Sequence, residues 1–229
     1  MTHEIKVTDD LRPLFGPVRD QGSRPTCLAF AASDVHAGAR ADWLPLSCEF
    51  VFYRAQQRAA RPPSAGATLP HMLDALRYDG QPEESGWPYL SWTPTDAATW
   101  CPPASPGPLF GRDSQQSPAS FATACGHLVA GRPVMLLMAL SGSFFSPTPT
   151  GVVVPGAGEV PQPSLRHAVI GVARGLVDGE EAILVRNSWG PSWGLDGHAW
   201  VTEAFVSPRL FALAILGGDV NVPPYSVAA

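Results

Sequence analysis

The sequence predicts an α+β fold in which helices come first along the chain and strands follow. Helix-type apolar spacing recurs up to about residue 130, and strand-type apolar runs come after it. Apolar residues make up 45% of the 229 positions, which is enough for a core. We expect one domain, residues 1–229, with a helical lobe at about 16–130 and a β-rich lobe at about 131–218. Residues 219–229 are predicted to form a loose tail.

The first predicted helix spans residues 27–40 and follows a short loop. Pro25 fixes its own φ angle, and Thr26 has the hydroxyl group typical of a helix N-cap. Cys27 then lies in the first turn, where backbone N–H groups point outward and the helix dipole favours an anion. A thiol there loses its proton more easily, and the thiolate is the nucleophile. An isolated cysteine is more often a core residue, so this candidate depends on its partners.

Caps and apolar spacing predict three further helices before the first buried strand. One begins at Ser47, one spans residues 69–78, and one spans residues 117–130. The proline-rich segments at residues 93–118 and 146–163 are predicted to be long surface loops, because apolar periodic segments surround them.

The β-rich part opens with the apolar run RPVMLLMAL, which predicts a buried strand after Pro133. His167 begins one of the later strands, and Asn187 follows the apolar run of another. The remaining histidines are expected on the surface or in satisfied core positions; they are His3, His36, His71, His127 and His198. The later strands are predicted at residues 151–154, 167–173, 182–187, 197–202 and 211–216.

Two sequence blocks connect Cys27 with His167 and Asn187. The first, QGSRPTCLAF, begins at Gln21, and the second, NSWGPSWG, begins at Asn187. Over residues 16–202 the chain resembles the papain-like (papain and cathepsin) cysteine peptidases, whose blocks run about Q-G-x-C-G-S-C-W-A-F and N-S-W-G-x-x-W-G. The second block is matched in full. The resemblance implies a papain-like two-lobed fold of a bacterial type, with the active site in the cleft between the lobes.

The resemblance also implies roles for the residues that match. Cys27 would be the nucleophile, and His167 would be the general base and acid, able to form a thiolate–imidazolium pair with it. Asn187 would orient the His167 ring by accepting its second N–H. Gln21 would donate to the oxyanion together with the backbone N–H of Cys27.

A second set of residues would contact the substrate or enclose the site. Gly66 and Ala67 stand where the family has a glycine pair that lets the substrate backbone lie close to the enzyme. Leu165 and Ala168 flank His167 and would line an apolar pocket. Trp189, counted with this set, would shield the hydrogen bond between His167 and Asn187 from water.

Four positions near the site depart from the family pattern. Arg24 stands where secreted relatives have a disulfide cysteine, so that bridge cannot form, which fits a reducing compartment. Pro25 replaces a glycine, Leu28 replaces a tryptophan or tyrosine, and Arg166 stands where many relatives have aspartate or asparagine. The four residues that the resemblance assigns to the reaction are all present, whereas the family's substrate preference is not transferred to this chain.

Composition narrows the remaining classes of function. A net charge of −5 without a basic cluster argues against nucleic acid, and no apolar run reaches the ~20 residues of a membrane helix. The polar start of the chain is not a secretory signal, so we expect a protein that is cytoplasmic or delivered without a classical signal. No cysteine or histidine pair has metal-ligand spacing, so we expect no metal and no cofactor.

The leading hypothesis is a cysteine-type peptidase that hydrolyses peptide bonds through a thioester acyl-enzyme. The first alternative is a peptide ligase or cyclase with the same acyl-enzyme, because water and amines compete for it. The second is a non-catalytic papain-like binding module. The presence of all four residues that match the family's catalytic positions argues against it. Expected partners are a peptide or protein substrate and a regulatory protein, since too few residues precede Gln21 for the family's inhibitory propeptide.

Overall fold

The computed structural model describes residues 2–225, which divide into two units. The strand-rich unit comprises Met1–Asp20 and Gln116–Ile215, and the helical unit comprises Gln21–Gln115 and Leu216–Ala229. Helices therefore dominate the earlier part of the chain and strands the later part, as predicted. Residues 226–229 of the predicted tail lie outside the described residues, whereas residues 219 and 220 belong to the last strand.

The helical unit is built around a buried helix, α1 (Cys27–Gly38). Every residue of α1 after Cys27 is buried, which makes it a central helix of this unit instead of an amphipathic surface helix. Its neighbours are α2 (Cys48–Ala59) and α3 (Leu69–Asp74), and α3 continues as a π-helical turn at Ala75–Asp79. The helices predicted at residues 27–40 and 69–78 are thus confirmed, apart from small differences at their ends.

The start and end of α2 follow from local chemistry. The Ser47 hydroxyl accepts a hydrogen bond from the Phe50 backbone N–H at 3.0 Å, as expected of an N-cap. Ala60 adopts a left-handed conformation with φ of 50°, which ends the helix.

The predicted loop at residues 93–118 is wrong at its end, because Gly111–Ser117 forms strand β2. Its sequence, GRDSQQS, is polar throughout and lacks the apolar alternation that predicts a strand. Strand β2 pairs with β7 (Leu210–Val220), whose later residues belong to the helical unit. The helix predicted from residue 117 begins later, as α4 (Phe121–Val129), with Ser120 as its N-cap.

The strand-rich unit contains antiparallel strands in the order β7-β3-β4-β5-β6, and β1 pairs with the second half of β4. Most of the predicted strands are confirmed within a few residues. The segment at residues 151–154 is the exception, because it forms only a single bridge between Val152 and Trp200. The strands are β1 (Ile5–Asp10), β3 (Val134–Ala139), β4 (Arg166–Val177), β5 (Glu180–Arg186) and β6 (His198–Thr202).

Apolar side chains from α4, the strands and a short helix, α5 (Glu203–Val206), form the core of the strand-rich unit. The core includes Met138, Val169, Val185 and Phe205. This core supports the ends of β4 and β5, where His167 and Asn187 lie. Among residues 2–225, no helix is both long enough and apolar enough to cross a membrane.

Candidate active site

The nucleophile candidate is the first residue of α1. Cys27 lies at the helix start, as predicted, and its side chain is partly exposed. Thr26 occupies the N-cap position but does not cap the helix with its side chain. Its hydroxyl instead lies 2.8 Å from the hydroxyl of Tyr89, which connects the start of α1 to the segment at residues 86–90. The N-cap prediction is therefore correct in position and wrong in the role of the hydroxyl group.

Gln21 is buried in the loop that precedes α1, and hydrogen bonds hold both its side chain and its backbone. The side-chain amide nitrogen donates to the backbone oxygen of Arg24 at 2.7 Å, and the Tyr89 hydroxyl donates to the Gln21 backbone oxygen at 2.7 Å. The Arg24 oxygen also accepts the backbone N–H of Thr26 at 2.9 Å. An amide nitrogen carries two N–H donors in fixed directions, so the bond to Arg24 also sets the direction of the second.

Gly66 lies beside this loop, within the helical unit. A Cβ atom added to Gly66 would be 3.8 Å from the backbone oxygen of Pro25, an ordinary van der Waals distance. The fold of this unit therefore does not itself require glycine at position 66. Ala67 follows Gly66 in the loop before α3, and both are partly exposed. Contact of either residue with a substrate stays a prediction.

His167 and Asn187 are brought together by the pairing of two strands in the strand-rich unit. His167 is the second residue of β4, and Asn187 directly follows β5, with Ile170 opposite Arg186 in the pairing. The His167 Nε2–H donates to Asn187 Oδ1 at 2.7 Å, and the Ser188 backbone N–H donates to the same oxygen at 2.8 Å. Only 7% of His167 and 3% of Asn187 is exposed, so this hydrogen bond is buried.

These contacts fix the tautomer of the His167 ring. An amide oxygen can only accept, so Nε2 carries the proton and Nδ1 is left as the acceptor of the neutral ring. Rotating the Asn187 amide by half a turn would place its N–H group against the Ser188 backbone N–H, which can only donate, so the orientation shown is the favoured one. The neutral ring is thereby held in the form that can take a proton at Nδ1.

Aromatic side chains surround the His167 ring. The Trp189 ring centre is 4.5 Å from that of His167, and the Phe144 ring centre is 6.0 Å away. Phe145 stacks on Trp189 at 5.3 Å, and Trp193 donates from Nε1 to the Phe144 backbone oxygen at 3.1 Å. Trp189 thus lies where the resemblance implies a water shield.

Sequence reasoning missed the two phenylalanines of this aromatic group. Phe144 and Phe145 lie in a short 3-10 turn, Gly142–Phe145, close after strand β3. An adjacent pair of phenylalanines shortly after a buried strand was the available signal. The NSWG turn itself depends on Gly190, whose φ of 73° is one that glycine adopts without strain.

Burial lowers the pKa of His167 to about 4, and the hydrogen bond to Asn187 opposes that shift. In the strand-rich unit the ring is therefore neutral at pH 7. A charged ring, as in the expected thiolate–imidazolium pair, requires a nearby anion to offset its loss of hydration.

The two residues that flank His167 differ in their surroundings. Ala168 lies opposite Leu137 on the neighbouring strand and is only 3% exposed. Leu165 is partly buried and packs against the core of the strand-rich unit. The apolar character that was predicted for this region agrees with these positions, while its role as a substrate pocket stays a prediction.

The structure thus groups the predicted residues by unit. Gln21, Cys27, Gly66 and Ala67 belong to the helical unit. His167, Asn187, Trp189, Leu165 and Ala168 belong to the strand-rich unit. The candidate nucleophile therefore belongs to the helical unit, and the candidate base with its hydrogen-bond acceptor belongs to the strand-rich unit.

Comparison with known proteins finds cysteine proteases among the similar sequences and structures. A family model described as papain family cysteine protease matches residues 80–206, which include His167 and Asn187 but not Gln21 or Cys27. Germination-specific cysteine protease 1 of Arabidopsis thaliana is 32% identical over 81 residues, or 35% of this chain and 20% of that protein. A cysteine protease of Blomia tropicalis is 28% identical over 200 residues, or 80% of this chain and 56% of that protein. The chain therefore spans only part of the length of these relatives.

Solved structures show the same fold. Xylellain, a cysteine protease from Xylella fastidiosa, matches with a TM-score of 0.73 at 21% identity, covering 94% of this chain and 90% of that one. The structure of proCathepsin B S9 from Trypanosoma congolense also gives a TM-score of 0.73, at 15% identity, covering 95% of this chain and 79% of that one. These matches confirm the predicted papain-like α+β fold.

Proposed function

Because the chain belongs to the papain family of cysteine proteases, we propose that it hydrolyses peptide bonds through a thioester acyl-enzyme formed on Cys27. The observation that carries the proposal is the buried hydrogen bond from His167 Nε2 to Asn187 Oδ1, which leaves Nδ1 as a base. The position of Cys27 at the start of α1 supports its role as the nucleophile.

The proposed reaction has two halves. In the first, His167 Nδ1 takes the thiol proton, and the Cys27 sulfur attacks the substrate carbonyl carbon, whose oxygen becomes an oxyanion. The intermediate then expels the amine, which leaves with the proton from His167, and the thioester remains. In the second half, water attacks the thioester, His167 takes its proton and returns it to the sulfur, and the carboxylic acid is released.

The electrostatics of each unit support this sequence of steps. His167 is neutral at pH 7 because burial lowers its pKa to about 4, so it starts as a base. Once it carries a proton, the charged ring is stabilised by the thiolate and by the Asn187 oxygen. Gln21 and the Cys27 backbone N–H would donate to the oxyanion, a contribution that typically lowers the barrier by about 3 kcal/mol per donor.

The proposed substrates are peptides or proteins, bound with backbone close to Gly66 and with an apolar side chain near Leu165. A regulatory protein partner remains part of the proposal. We also propose a reducing compartment such as the cytoplasm, or delivery from it. None of the four cysteines, all of which lie within the described residues, forms a disulfide, which supports that location.

The proposal is tested by labelling with an epoxysuccinyl active-site inhibitor at neutral pH under reducing conditions, followed by mass spectrometry. We expect fast, single labelling of Cys27 that collapses in the His167→Ala variant. Cys101 provides an internal control, because its side chain is exposed and it lies outside the proposed site. Labelling that is slow and equal at Cys27 and Cys101 would reject the proposal and favour a binding module.

Hydrolysis and acyl transfer are separated in a second assay. A peptide ester is supplied with and without a peptide amine, and the products are identified by mass. A hydrolase gives the acid as the main product at millimolar amine, whereas a ligase gives mainly the new amide.

A further inference from the structure

A buried ion pair joins α2 to the loop at residues 21–26, which precedes Cys27 and is called the nucleophile loop below. Arg24 Nη1 donates to Glu49 Oε2 at 2.6 Å, and Nη2 donates to Glu49 Oε1 at 3.0 Å. Arg24 Nη1 also donates to the backbone oxygen of Leu90 at 2.6 Å. Both charged side chains are 0% exposed. The two-pronged geometry holds Arg24 in one orientation, which a single contact would not do.

The Glu49 carboxylate is satisfied on its remaining sides. Trp100 Nε1–H donates to Oε1 at 2.7 Å, and the Leu90 backbone N–H donates to Oε2 at 3.1 Å. The Arg24 guanidinium lies 4.9 Å from the ring centre of Tyr89 and 5.5 Å from that of Phe52. A buried ion pair is retained at low cost only where further hydrogen bonds satisfy it, and the carboxylate here meets that condition.

The same arginine also holds Gln21. The Arg24 backbone oxygen accepts the Gln21 side-chain N–H at 2.7 Å and the Thr26 backbone N–H at 2.9 Å. Fixing the Arg24 side chain therefore fixes the carbonyl group that orients the Gln21 amide. The second N–H of that amide is the proposed donor to the oxyanion, and its direction follows from the first.

We propose that Arg24 and Glu49 are a positioning pair, which orients the Gln21 amide for oxyanion binding. Neither residue touches the reacting atoms, and the pair acts through the Arg24 carbonyl group. The ion pair therefore anchors the loop without a disulfide. This inference rests on the proposed function, because it assumes that an oxyanion forms beside Cys27.

The first test compares a reaction that forms an oxyanion with one that does not. Hydrolysis of a peptide amide passes through a tetrahedral oxyanion, whereas alkylation of Cys27 by iodoacetamide is a direct displacement. The test variant is Arg24→Met combined with Glu49→Leu, since apolar residues of similar size often replace a buried ion pair without loss of folding. We expect kcat to fall about 10- to 100-fold, part of the ~100- to 1,000-fold loss typical for an oxyanion donor. The Cys27 alkylation rate should change less than about threefold, because that step uses none of the oxyanion contacts.

The second test asks whether the pair acts through Gln21. If it does, Gln21→Ala should lower kcat strongly in the wild-type background and only weakly in the Arg24→Met, Glu49→Leu background. A matched control is Asp79→Asn, which removes another buried carboxylate of the helical unit, one that binds Arg54 and Arg58. The control should lower the unfolding temperature while leaving the ratio of hydrolysis to alkylation unchanged.

Binding of a peptide aldehyde gives a readout that does not need turnover. The aldehyde adds to the Cys27 sulfur, and its oxygen occupies the oxyanion position. We expect Gln21→Ala and the paired variant to weaken aldehyde binding by similar factors. If effects on kcat multiply fully, or if alkylation falls in step with hydrolysis, the pair is structural only and the inference fails. A wild-type protein that binds the aldehyde without hydrolysing peptides would overturn the proposed function, while the aldehyde affinities still decide the inference. A wild-type protein that does neither would overturn both.

Discussion

Replacing Asn187 with alanine removes the acceptor of the His167 Nε2–H in a buried setting. The hydrogen bond is 2.7 Å long, and it becomes stronger when His167 is protonated during the reaction. Its loss should therefore raise the activation free energy by about 1.5 to 3 kcal/mol. That free energy corresponds to a decrease in kcat/KM of roughly 10- to 150-fold, because about 1.4 kcal/mol equals a factor of ten in rate. The loss also frees the ring to adopt the wrong tautomer, which acts in the same direction.

The pH dependence of kcat/KM provides an independent test of the same substitution. The Asn187 hydrogen bond raises the pKa of His167 against the larger effect of burial, which lowers it to about 4. Asn187→Ala should therefore move the acid limb of kcat/KM to lower pH, even though activity falls at every pH. Asn187→Asp is the matched variant, since a carboxylate beside the ring raises the pKa and moves the acid limb to higher pH.

The assay is kcat/KM for a fluorogenic peptide amide between pH 3.5 and 8 under reducing conditions. Circular dichroism and thermal unfolding of each variant show whether it is folded. An unchanged kcat/KM in folded Asn187→Ala would refute the assignment of Asn187 as the residue that orients His167. An acid limb that moves to higher pH in that variant would refute the account of the His167 pKa.

Three other predictions concern stability, substrate contact and redox state. Burial lowers the pKa of both His36 and His167 to about 4 from 6.5, so the folded state binds fewer protons than the unfolded chain between those values. Stability should therefore rise with pH through that window, by up to about 3 kcal/mol per histidine, and His36→Gln should roughly halve the pH dependence of the urea midpoint. Gly66→Ala should change the free energy of unfolding by less than about 0.5 kcal/mol, because the added Cβ would lie 3.8 Å from the Pro25 backbone oxygen, an ordinary contact distance. The same substitution should raise KM for peptides several-fold. An unchanged KM would show that Gly66 does not contact the substrate. The unfolding temperature should be the same with and without reductant, because none of the four cysteines forms a disulfide, and a fall on reduction would contradict that state.

The sequence was sufficient to predict the elements whose apolar pattern is strong. The run after Pro133 forms β3, and the segments around His167 and Asn187 form paired strands near the predicted bounds. Strands β1 and β2 were missed because their residues are mostly polar, and their pairing depends on partners far along the chain. The strand predicted at residues 151–154 failed for the opposite reason, since an apolar pattern alone does not supply a neighbouring strand.

The two halves of the candidate site differ in how far the sequence could predict them. His167 and Asn187 lie 20 residues apart at the ends of paired neighbouring strands, so a strand pattern and a short motif are enough to place them together. The Phe144 and Phe145 contacts with Trp189 were not predictable in this way, because they join a turn to a distant motif.

The nucleophile loop depends on longer connections than its own motif. Gln21 is oriented by Arg24, Arg24 by Glu49, and Glu49 in turn by Trp100 and the Leu90 backbone. Glu49, Leu90 and Trp100 lie outside the QGSRPTC block. Because each of these contacts is polar and directional, apolar periodicity in the sequence does not predict it. A substitution at Glu49 would therefore leave every residue of the motif in place and still disorganise Gln21, the proposed oxyanion donor. Two chains with the same motif at the nucleophile need not have the same activity, because the motif specifies the chemical groups while the buried ion pair specifies their orientation.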